Sequence, residues 1–372
     1  YMERAASKRI PRFAFDYLSG GIGRETSLID NIKVLDKIKL QPRYLIDNIE
    51  TPNSSCNILD QIYDAPIAIS PIGLTGLIWP DAPKHMALAA KNHNVPFILS
   101  SFSTASIEEI TALIGECRWF QYYVTSDKGI NSDILNRIRS ADCEVLLLTI
   151  DIPVSTRREK DIYNGLSIPP IFDLSTICQI LARPTWALQT LRAGIPTFKN
   201  YTPYLPKGIS LQETGSFLNQ LVSINVTPGT LQWFRNHWEG KLVVKGVLTK
   251  ADAIICEKIG VDSIIVSNHG GRQLDAAPAA IDQLTKIKPL MQKSKPIMID
   301  GGIRNGLDVV RLLASGANFT LLGRAMMFAL AAIGPKGPNH VLSIIKQEIT
   351  MTMAQLGCSH INELGSCLDN EE

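Results

Sequence analysis

The chain of 372 residues lacks the patterns that mark a metalloprotein, a disulfide-stabilised domain or a nucleic-acid-binding protein. Its seven cysteines include no C-x-x-C pair, and its six histidines form no cluster beside them. We therefore expect no metal site, and we interpret the cysteines as reduced structural thiols of a cytoplasmic protein. Basic and acidic residues nearly balance, 37 against 35, so nothing in the charge favours binding to nucleic acid.

Long apolar runs are also missing, since no stretch of about 18 apolar residues could cross a membrane. The composition, 45% hydrophobic and 19% charged, is ordinary for a globular protein with a large core. Although the length would allow two domains, single α/β barrels often exceed 250 residues. We predict one domain over 1–372.

Short apolar segments, continuous rather than alternating, recur along the chain as in strands that are buried on both faces. They lie at 65–69, 96–100, 119–124, 144–150, 241–245, 263–267, 296–300 and 319–323. Helix-like stretches between them include 84–93, 106–114, 249–259, 279–291 and 305–315. Eight such alternations predict a (β/α)8 TIM barrel. A dinucleotide-binding sheet is disfavoured because no G-x-G-x-x-G follows the first strand.

Three parts of the chain lie outside the repeating barrel units. We assign 65–158 and 239–333 to the barrel, 1–64 to an N-terminal helical extension, and 334–372 to a C-terminal helix and tail. Residues 159–238 form a long insertion after the fourth strand, far beyond the usual length of a βα connection. An insertion at this end of a barrel is expected to be a lid, a subunit interface or a docking surface.

Polar residues follow the predicted strands at the end where barrel enzymes carry their catalytic groups. Taken one at a time these strand ends are weak evidence, but six of them would meet at one face of the barrel. The polar residues at these six strand ends are Ser70, Ser100, Gln121, Tyr123, Thr149, Asp151, Lys245 and the segment 267–272, which contains His269. Their convergence predicts an active site rather than packing alone.

The last two strands end in glycine and arginine. Asp300-Gly301-Gly302-Ile303-Arg304 follows the seventh strand, and Gly323-Arg324 follows the eighth. Glycine lets backbone N–H groups approach a phosphate closely, and arginine adds charged hydrogen-bond donors. Because the loops after strands seven and eight are the usual phosphate site of such barrels, we expect a phosphorylated cofactor or substrate here.

The segment 267–275, Ser-Asn-His-Gly-Gly-Arg-Gln-Leu-Asp, together with 244–246 and 300–302, resembles the FMN-dependent α-hydroxy-acid dehydrogenase and oxidase family. The resemblance extends from Tyr17 to about Gly357. It implies FMN as cofactor, an (S)-2-hydroxy acid similar to mandelate or lactate as substrate, and a 2-keto acid as product. It also implies a homotetramer. Whether a hydride or a carbanion is transferred is left open.

The resemblance assigns catalytic and substrate-binding roles to seven residues. His269 is the base that takes a proton from the substrate, and Asp151 stabilises the imidazolium that forms. Arginine forks suit a planar carboxylate, and the remaining roles go to Arg272, to Arg158 or its neighbour Arg157 with the register favouring Arg158, to Tyr17 and Tyr123, and to Lys245.

The same resemblance assigns the residues that hold FMN. Lys245 lies beside the N1–C2 edge of the flavin, where a cation stabilises negative charge on the reduced ring. The backbone of Pro71, Ile72 and Gly73 lies against the ring. Hydrogen bonds to the ring or ribityl chain are assigned to Ser100, Gln121, Thr149 and Ser267, and ribityl and phosphate contacts to Asp300, Gly301, Gly302, Arg304, Gly323 and Arg324.

Segments such as 73–80 and 354–358 resemble the branch similar to mandelate dehydrogenase, whose insertion is associated with membrane attachment. The insertion here mixes apolar residues with arginine and lysine, as at Ile177, Ile180, Leu181, Trp186, Leu188 and Leu191. This stripe fits peripheral contact of 159–238 with the inner face of a membrane, and it equally fits packing on the barrel or on a neighbouring subunit.

Several alternatives stand beside this interpretation. Gly73, where many oxidases carry alanine, favours a dehydrogenase that passes electrons to a quinone or another acceptor. The main rival is an oxidase of lactate or glycolate that uses oxygen and releases hydrogen peroxide. A type 2 isopentenyl-diphosphate isomerase would share the phosphate site but has no need of His269 and Arg272. A flavin-binding barrel without activity is disfavoured because these residues and Lys245 are all present.

Overall fold

The computed structural model describes residues 1–46, 51–164, 174–209, 211–222 and 224–369; the rest of the predicted insertion, at 165–173, 210 and 223, lies outside this range. The N-terminal extension forms three helices, α1 (Met2–Arg9), α2 (Arg12–Ser19) and α3 (Thr26–Lys37). They are followed by an antiparallel hairpin of two short strands, β1 (Cys56–Ile58) and β2 (Gln61–Tyr63).

Eight parallel strands then form the barrel. They are β3 (Ile67–Ile69), β4 (Ile98–Ser100), β5 (Trp119–Tyr122), β6 (Val145–Thr149), β7 (Lys241–Val247), β8 (Ser263–Val266), β9 (Ile297–Asp300) and β10 (Phe319–Leu322). They pair in the order β3-β10-β9-β8-β7-β6-β5-β4. A bridge between Ile69 and Phe97 joins the two end strands. The predicted TIM barrel is confirmed, with every strand overlapping its predicted range.

Helices cover the outside of the barrel and form the insertion. The first group is α4 (Ala82–Asn92), α5 (Ile107–Ile114) and α6 (Lys128–Ser140). The insertion holds α7 (Glu159–Tyr163), α8 (Leu174–Leu181), α9 (Pro184–Ala193), α10 (Leu211–Val222) and α11 (Pro228–His237). The last group is α12 (Lys250–Ile259), α13 (Ala280–Ile287), α14 (Gly306–Ala314), α15 (Arg324–Ile333) and α16 (Gly337–Leu356).

Local chemistry sets the ends of these helices. Ser106 and Glu109 form a reciprocal capping box at the start of α5, which satisfies two backbone N–H groups that the helix itself leaves unpaired. Gly260 ends α12 in a left-handed conformation, φ +81°. The helix predicted at 279–291 is shorter than expected: α13 ends at Ile287 because Pro289 cannot supply a backbone donor.

The barrel interior is filled by side chains, and the hairpin β1–β2 closes its amino-terminal end. Ile58 and Tyr63 of the hairpin pack on the inward-facing side chains of the strands, and Tyr63 Oη accepts a hydrogen bond from Trp119 Nε1 at 3.0 Å. The inward-facing residues are Ala68, Ile98, Trp119, Val145, Leu147, Val243, Ile265, Met298, Phe319 and Leu321. Side chains of the described residues therefore fill this end of the barrel, which leaves the opposite mouth open for a ligand.

The helices α8 and α9 of the insertion pack on the N-terminal extension. The Trp186 side chain is buried, donates to the carbonyl of Ile78 at 3.0 Å, and meets the Phe13 ring edge-on. Other apolar side chains of this pair face solvent: Leu174, Ile177, Leu181, Leu188 and Leu191. Of the two alternatives left open for this stripe, Trp186 therefore follows internal packing and not membrane contact. None of the described helices has the length and apolarity needed to cross a membrane.

Candidate active site

A cavity of about 530 Å³ opens at the carboxyl ends of the strands. Fifteen of the twenty predicted site residues line it: Tyr17, Pro71, Ile72, Gly73, Tyr123, Arg158, Lys245, His269, Arg272, Asp300, Gly301, Gly302, Arg304, Gly323 and Arg324. The other five lie behind its wall and reach it through hydrogen bonds: Ser100, Gln121, Thr149, Asp151 and Ser267. The barrel thus brings together residues that are up to 307 positions apart, Tyr17 and Arg324 (324 − 17).

His269 and Asp151 form a close pair in the wall of the cavity. His269 Nδ1 lies 2.9 Å from one carboxylate oxygen of Asp151 and 3.1 Å from the other. His269 has a positive φ, +56°, and its backbone N–H donates to Ser267 Oγ at 3.0 Å. Because Nδ1 is held by a carboxylate, Nε2 is the nitrogen that can exchange a proton with a ligand.

The Asp151 carboxylate keeps its charge despite its burial. Burial raises the pKa of Asp151, but the charge and hydrogen bond of His269, together with the charge of Lys245, outweigh it and leave that pKa below its ordinary value. At neutral pH the Asp151 carboxylate therefore carries a negative charge next to the His269 ring. Such a charge stabilises an imidazolium and so favours proton uptake by His269.

Two arginines and a tyrosine lie together on one side of the cavity. Arg272 Nη1 donates to the carbonyls of Tyr17, at 2.7 Å, and Gly20, at 3.1 Å. The guanidinium carbons of Arg272 and Arg158 lie 4.9 and 5.9 Å from the centre of the Tyr17 ring. Burial and the charge of Arg158 lower the pKa of Arg272 to about 10, so it stays charged at neutral pH. Guanidinium groups at a cavity wall have a geometry suited to a carboxylate.

The two predicted tyrosines are held in different ways. Tyr17 Oη donates to the carbonyl of Gly73 at 3.3 Å, which links the N-terminal extension to the loop after β3. The Tyr123 ring packs against Phe102, and burial and the nearby Asp151 charge raise the pKa of Tyr123 far above its ordinary value. Tyr123 therefore stays protonated and can donate a hydrogen bond to an anion.

Lys245 and Asp300 form a buried ion pair at the centre of the site. Lys245, only 4% exposed, places Nζ 2.8 Å from Asp300 Oδ2 and 2.7 Å from Ser267 Oγ. Within the described part of the chain, Asp300 Oδ1 is buried without a hydrogen-bond partner. A buried carboxylate oxygen left unpaired in this way costs free energy, so it is expected to accept a hydrogen bond from a ligand hydroxyl.

A chain of polar side chains runs behind the wall between β4 and β6. Ser100 Oγ donates to Gln121 Oε1 at 2.7 Å, and Gln121 Nε2 donates to Thr149 Oγ1 at 2.9 Å. All three side chains are buried. The two bonds fix which end of the Gln121 amide faces each neighbour, and they leave the second amide hydrogen of Gln121 and the hydroxyl hydrogen of Thr149 for a ligand.

Arg304 and Arg324 make the far end of the cavity positive. Arg324 donates to three backbone carbonyls, of Leu18, Gly20 and Gly270, at 3.1, 2.8 and 2.9 Å. Burial and the charges of Arg272 and Arg304 hold the pKa of Arg324 well below its ordinary value. Among the described residues, neither arginine has a carboxylate partner in an ion pair. This concentration of unneutralised charge is suited to a phosphate.

Some residues of the site were not predicted. Asp161 pairs with Arg158 at 3.2 Å and lines the cavity, and its spacing of three from Arg158 at the start of α7 could have indicated an ion pair. Phe198, from the insertion, packs edge-on against Phe102 at 5.0 Å, and no local signal in the sequence indicates this contact. Arg158 lines the cavity, whereas Arg157 is exposed outside it.

Comparisons with known proteins agree with this geometry. A family model described as FMN-dependent dehydrogenase matches residues 6–370. An L-lactate dehydrogenase of Acinetobacter baylyi is 36% identical over 98% of this chain and 95% of its own, and one of Alcaligenes faecalis is 36% identical over 98% and 96%.

The solved structure of the monotopic membrane protein (S)-mandelate dehydrogenase covers 100% of this chain and 98% of its own, with TM-score 0.94 and 33% identity. A mandelate oxidase structure has TM-score 0.81 and 30% identity over 98% and 95%. The chain therefore belongs to the FMN-dependent dehydrogenase family, in which it is a 2-hydroxy-acid oxidoreductase with FMN as its cofactor.

Proposed function

We propose that the protein oxidises an (S)-2-hydroxy acid with the aromatic side chain of mandelate rather than the methyl group of lactate. We further propose that it passes the electrons to a quinone. The observation that carries the oxidation is the His269–Asp151 pair, which lies at one cavity with the guanidinium groups of Arg158 and Arg272. We place the substrate side chain against an apolar part of the cavity wall, which is lined by Phe102, Ile152 and Phe198. Phe102 also packs against the Tyr123 ring.

The residues of the cavity divide the work on the substrate. Arg158 and Arg272 hold the carboxylate, and Tyr17 and Tyr123 donate hydrogen bonds to its oxygens or to the hydroxyl group. This orientation brings the substrate to His269, whose Nε2 takes a proton from it. Asp151 stabilises the resulting imidazolium, as its depressed pKa indicates.

The residues present fit FMN. The unpaired Asp300 Oδ1 can accept from a ribityl hydroxyl, and Arg304 and Arg324 offer their charge to the phosphate. Lys245 Nζ places its charge at the centre of the cavity wall, where it would stabilise negative charge on a reduced ring. FMN, when bound, accepts the two electrons that leave the substrate carbon.

The proposed quinone acceptor and the proposed membrane contact support each other. A quinone dissolves in the lipid bilayer, and the pair α8–α9 presents Leu181 and Leu191, 72% and 80% exposed, on the surface of the insertion. Exposed apolar side chains beside Arg183 and Arg192 suit the interface between lipid headgroups and acyl chains. The similarity to a monotopic mandelate dehydrogenase supports the same proposal.

An oxygen-using oxidase is the second candidate, favoured by the similarity to a mandelate oxidase. We further propose a homotetramer, in line with the family. Light scattering of the purified protein in detergent would test this, and a mass of one or two chains would contradict it.

An anaerobic absorbance experiment tests the function. The protein reconstituted with FMN is mixed with (S)-mandelate or with L-lactate, and then with a soluble quinone or with air. The proposal expects faster bleaching of the flavin by mandelate, followed by faster recovery with the quinone. Faster recovery in air, with hydrogen peroxide, would support the oxidase; bleaching by neither acid would contradict the proposed substrates.

A further inference from the structure

A segment that follows α16 binds the N-terminal extension through backbone hydrogen bonds. We call residues 357–369 the C-terminal clasp; it includes a 3-10 helix at Ile361–Cys367. Its backbone accepts hydrogen bonds from Gln41 N and Asn53 N, both at 2.8 Å, and Asp369 N donates to the Lys39 carbonyl at 3.1 Å. The contacts of Lys39, Gln41 and Asn53 therefore depend on the clasp staying folded.

Two cysteine sulfurs meet inside this clasp. Cys358 Sγ and Cys367 Sγ lie 3.3 Å apart, and their side chains are 3% and 7% exposed. The contact joins the residue just after α16 to the last residue of the 3-10 helix. The two thiols are thus close enough that a small movement would bring them to bonding distance.

We propose that Cys358 and Cys367 are a reversible oxidation site, which hydrogen peroxide converts to a disulfide that fastens the clasp. One cysteine sulfur attacks a peroxide oxygen and breaks the O–O bond, giving a sulfenic acid and one water. The second sulfur then attacks the first and expels the remaining oxygen as a second water. The two thiols lose two electrons and two protons, which reduce the peroxide.

The burial of the two thiols limits their reaction with peroxide. Burial and the contact with Cys367 raise the pKa of Cys358 to about 12, so its reactive thiolate is scarce. Because both sulfurs are buried, the first attack requires an opening of the clasp that exposes one of them. Peroxide reaches them when the 3-10 helix opens locally, because such helices have poorer hydrogen-bond geometry than α-helices.

The chain itself provides a mapping experiment, because Glu363 lies between the two cysteines. The holoenzyme is treated with hydrogen peroxide, its remaining thiols are blocked, and it is then unfolded and digested with a glutamate-specific protease. We expect the peptides on either side of Glu363 to stay joined until a reductant is added. Peptides that separate without reductant, at peroxide levels that oxidise the exposed Cys178, would overturn the proposal.

Hydrogen exchange then tests whether the bond fastens the clasp. We expect the amides of Gln41 and Asp369 to exchange about tenfold more slowly in the oxidised protein than in the reduced one. C367S should abolish this difference, whereas C178S, the matched control, should keep it. C367A repeats the test should C367S fold poorly. Equal exchange rates in the oxidised and reduced wild type would refute the fastening role.

Discussion

The guanidinium of Arg272 lies over the ring of Tyr17 while it also donates to the backbone carbonyl of Tyr17, at 2.7 Å. Tyr17 sits near the end of α2, where helix carbonyls have no partners within the helix. Arg324 donates to the carbonyl of Leu18, and it shares the Gly20 carbonyl with Arg272. Arg272 and Arg324 therefore cap the carboxyl end of α2. The same helix supplies Tyr17 to the cavity.

Replacing Arg272 by lysine should weaken substrate binding strongly. Lysine keeps the charge but cannot donate to the Tyr17 and Gly20 carbonyls and to a carboxylate in one plane. We expect KM for the hydroxy acid to rise about 100-fold, corresponding to roughly 2–3 kcal/mol for a charged hydrogen bond. R157K, in the exposed neighbouring arginine, is the control and should leave KM unchanged. Steady-state kinetics of both variants decide the matter, and an unchanged KM in R272K would exclude the proposed role.

The strands and the residues at their ends could be predicted because they depend on local patterns. Continuous apolar runs locate the eight strands, and the chain direction then places residues such as Lys245 and Asp300 at one mouth. The hairpin β1–β2 was missed because its turn is formed by Leu59 and Asp60, both with positive φ, rather than by the usual glycine or asparagine.

Contacts between distant segments could not be predicted. Arg324 binds backbone carbonyls, which carry no signature in the sequence, and Phe198 reaches Phe102 only through the fold of the insertion. The pairing of Cys358 with Cys367 was missed for another reason. Their spacing matches no metal or redox motif, and only the 3-10 helix brings the two sulfurs together.

Replacing Asp151 by asparagine should slow flavin reduction by a factor on the order of 10² to 10⁴, as the loss of a charged partner does for other catalytic histidines. The variant keeps the size of the side chain but removes the charge that stabilises the His269 imidazolium. Anaerobic stopped-flow absorbance at saturating substrate measures this rate. A rate within threefold of wild type would mean that His269 does not act as the base through this pair.

The His269–Asp151 pair should make the free energy of unfolding depend on pH. Because the folded pKa of Asp151 lies below its ordinary value, its stabilising contribution is complete above the unfolded carboxyl pKa and is lost as the pH falls through the folded one. The advantage of wild type over D151N in free energy of unfolding should therefore shrink as the pH falls below about 4. Urea unfolding at pH 7 and at pH 3.5 provides the comparison. A constant difference would contradict the coupling.

A methyl group at position 73 should disturb the part of the cavity wall that we propose to face the substrate side chain. A Cβ built on Gly73 would lie 3.0 Å from Phe102 Cβ, closer than such atoms normally approach, so Phe102 must shift. We expect G73A to lower kcat/KM for mandelate about tenfold, and F102G, which removes the clashing Cβ, to recover part of this loss in the double variant. Additive losses in the double-mutant cycle would show that the two residues act separately.

Two leucines and one tryptophan distinguish membrane contact from internal packing in the insertion. L181S/L191S removes exposed apolar side chains, so it should release the protein from vesicles of phosphatidylglycerol and phosphatidylethanolamine while leaving activity with a soluble acceptor intact. W186A removes a buried ring and its bond to the Ile78 carbonyl, and should lower the free energy of unfolding by roughly 3–5 kcal/mol. Vesicle sedimentation and thermal melting measure the two effects. Equal vesicle binding by wild type and L181S/L191S would assign these leucines to contact with another subunit.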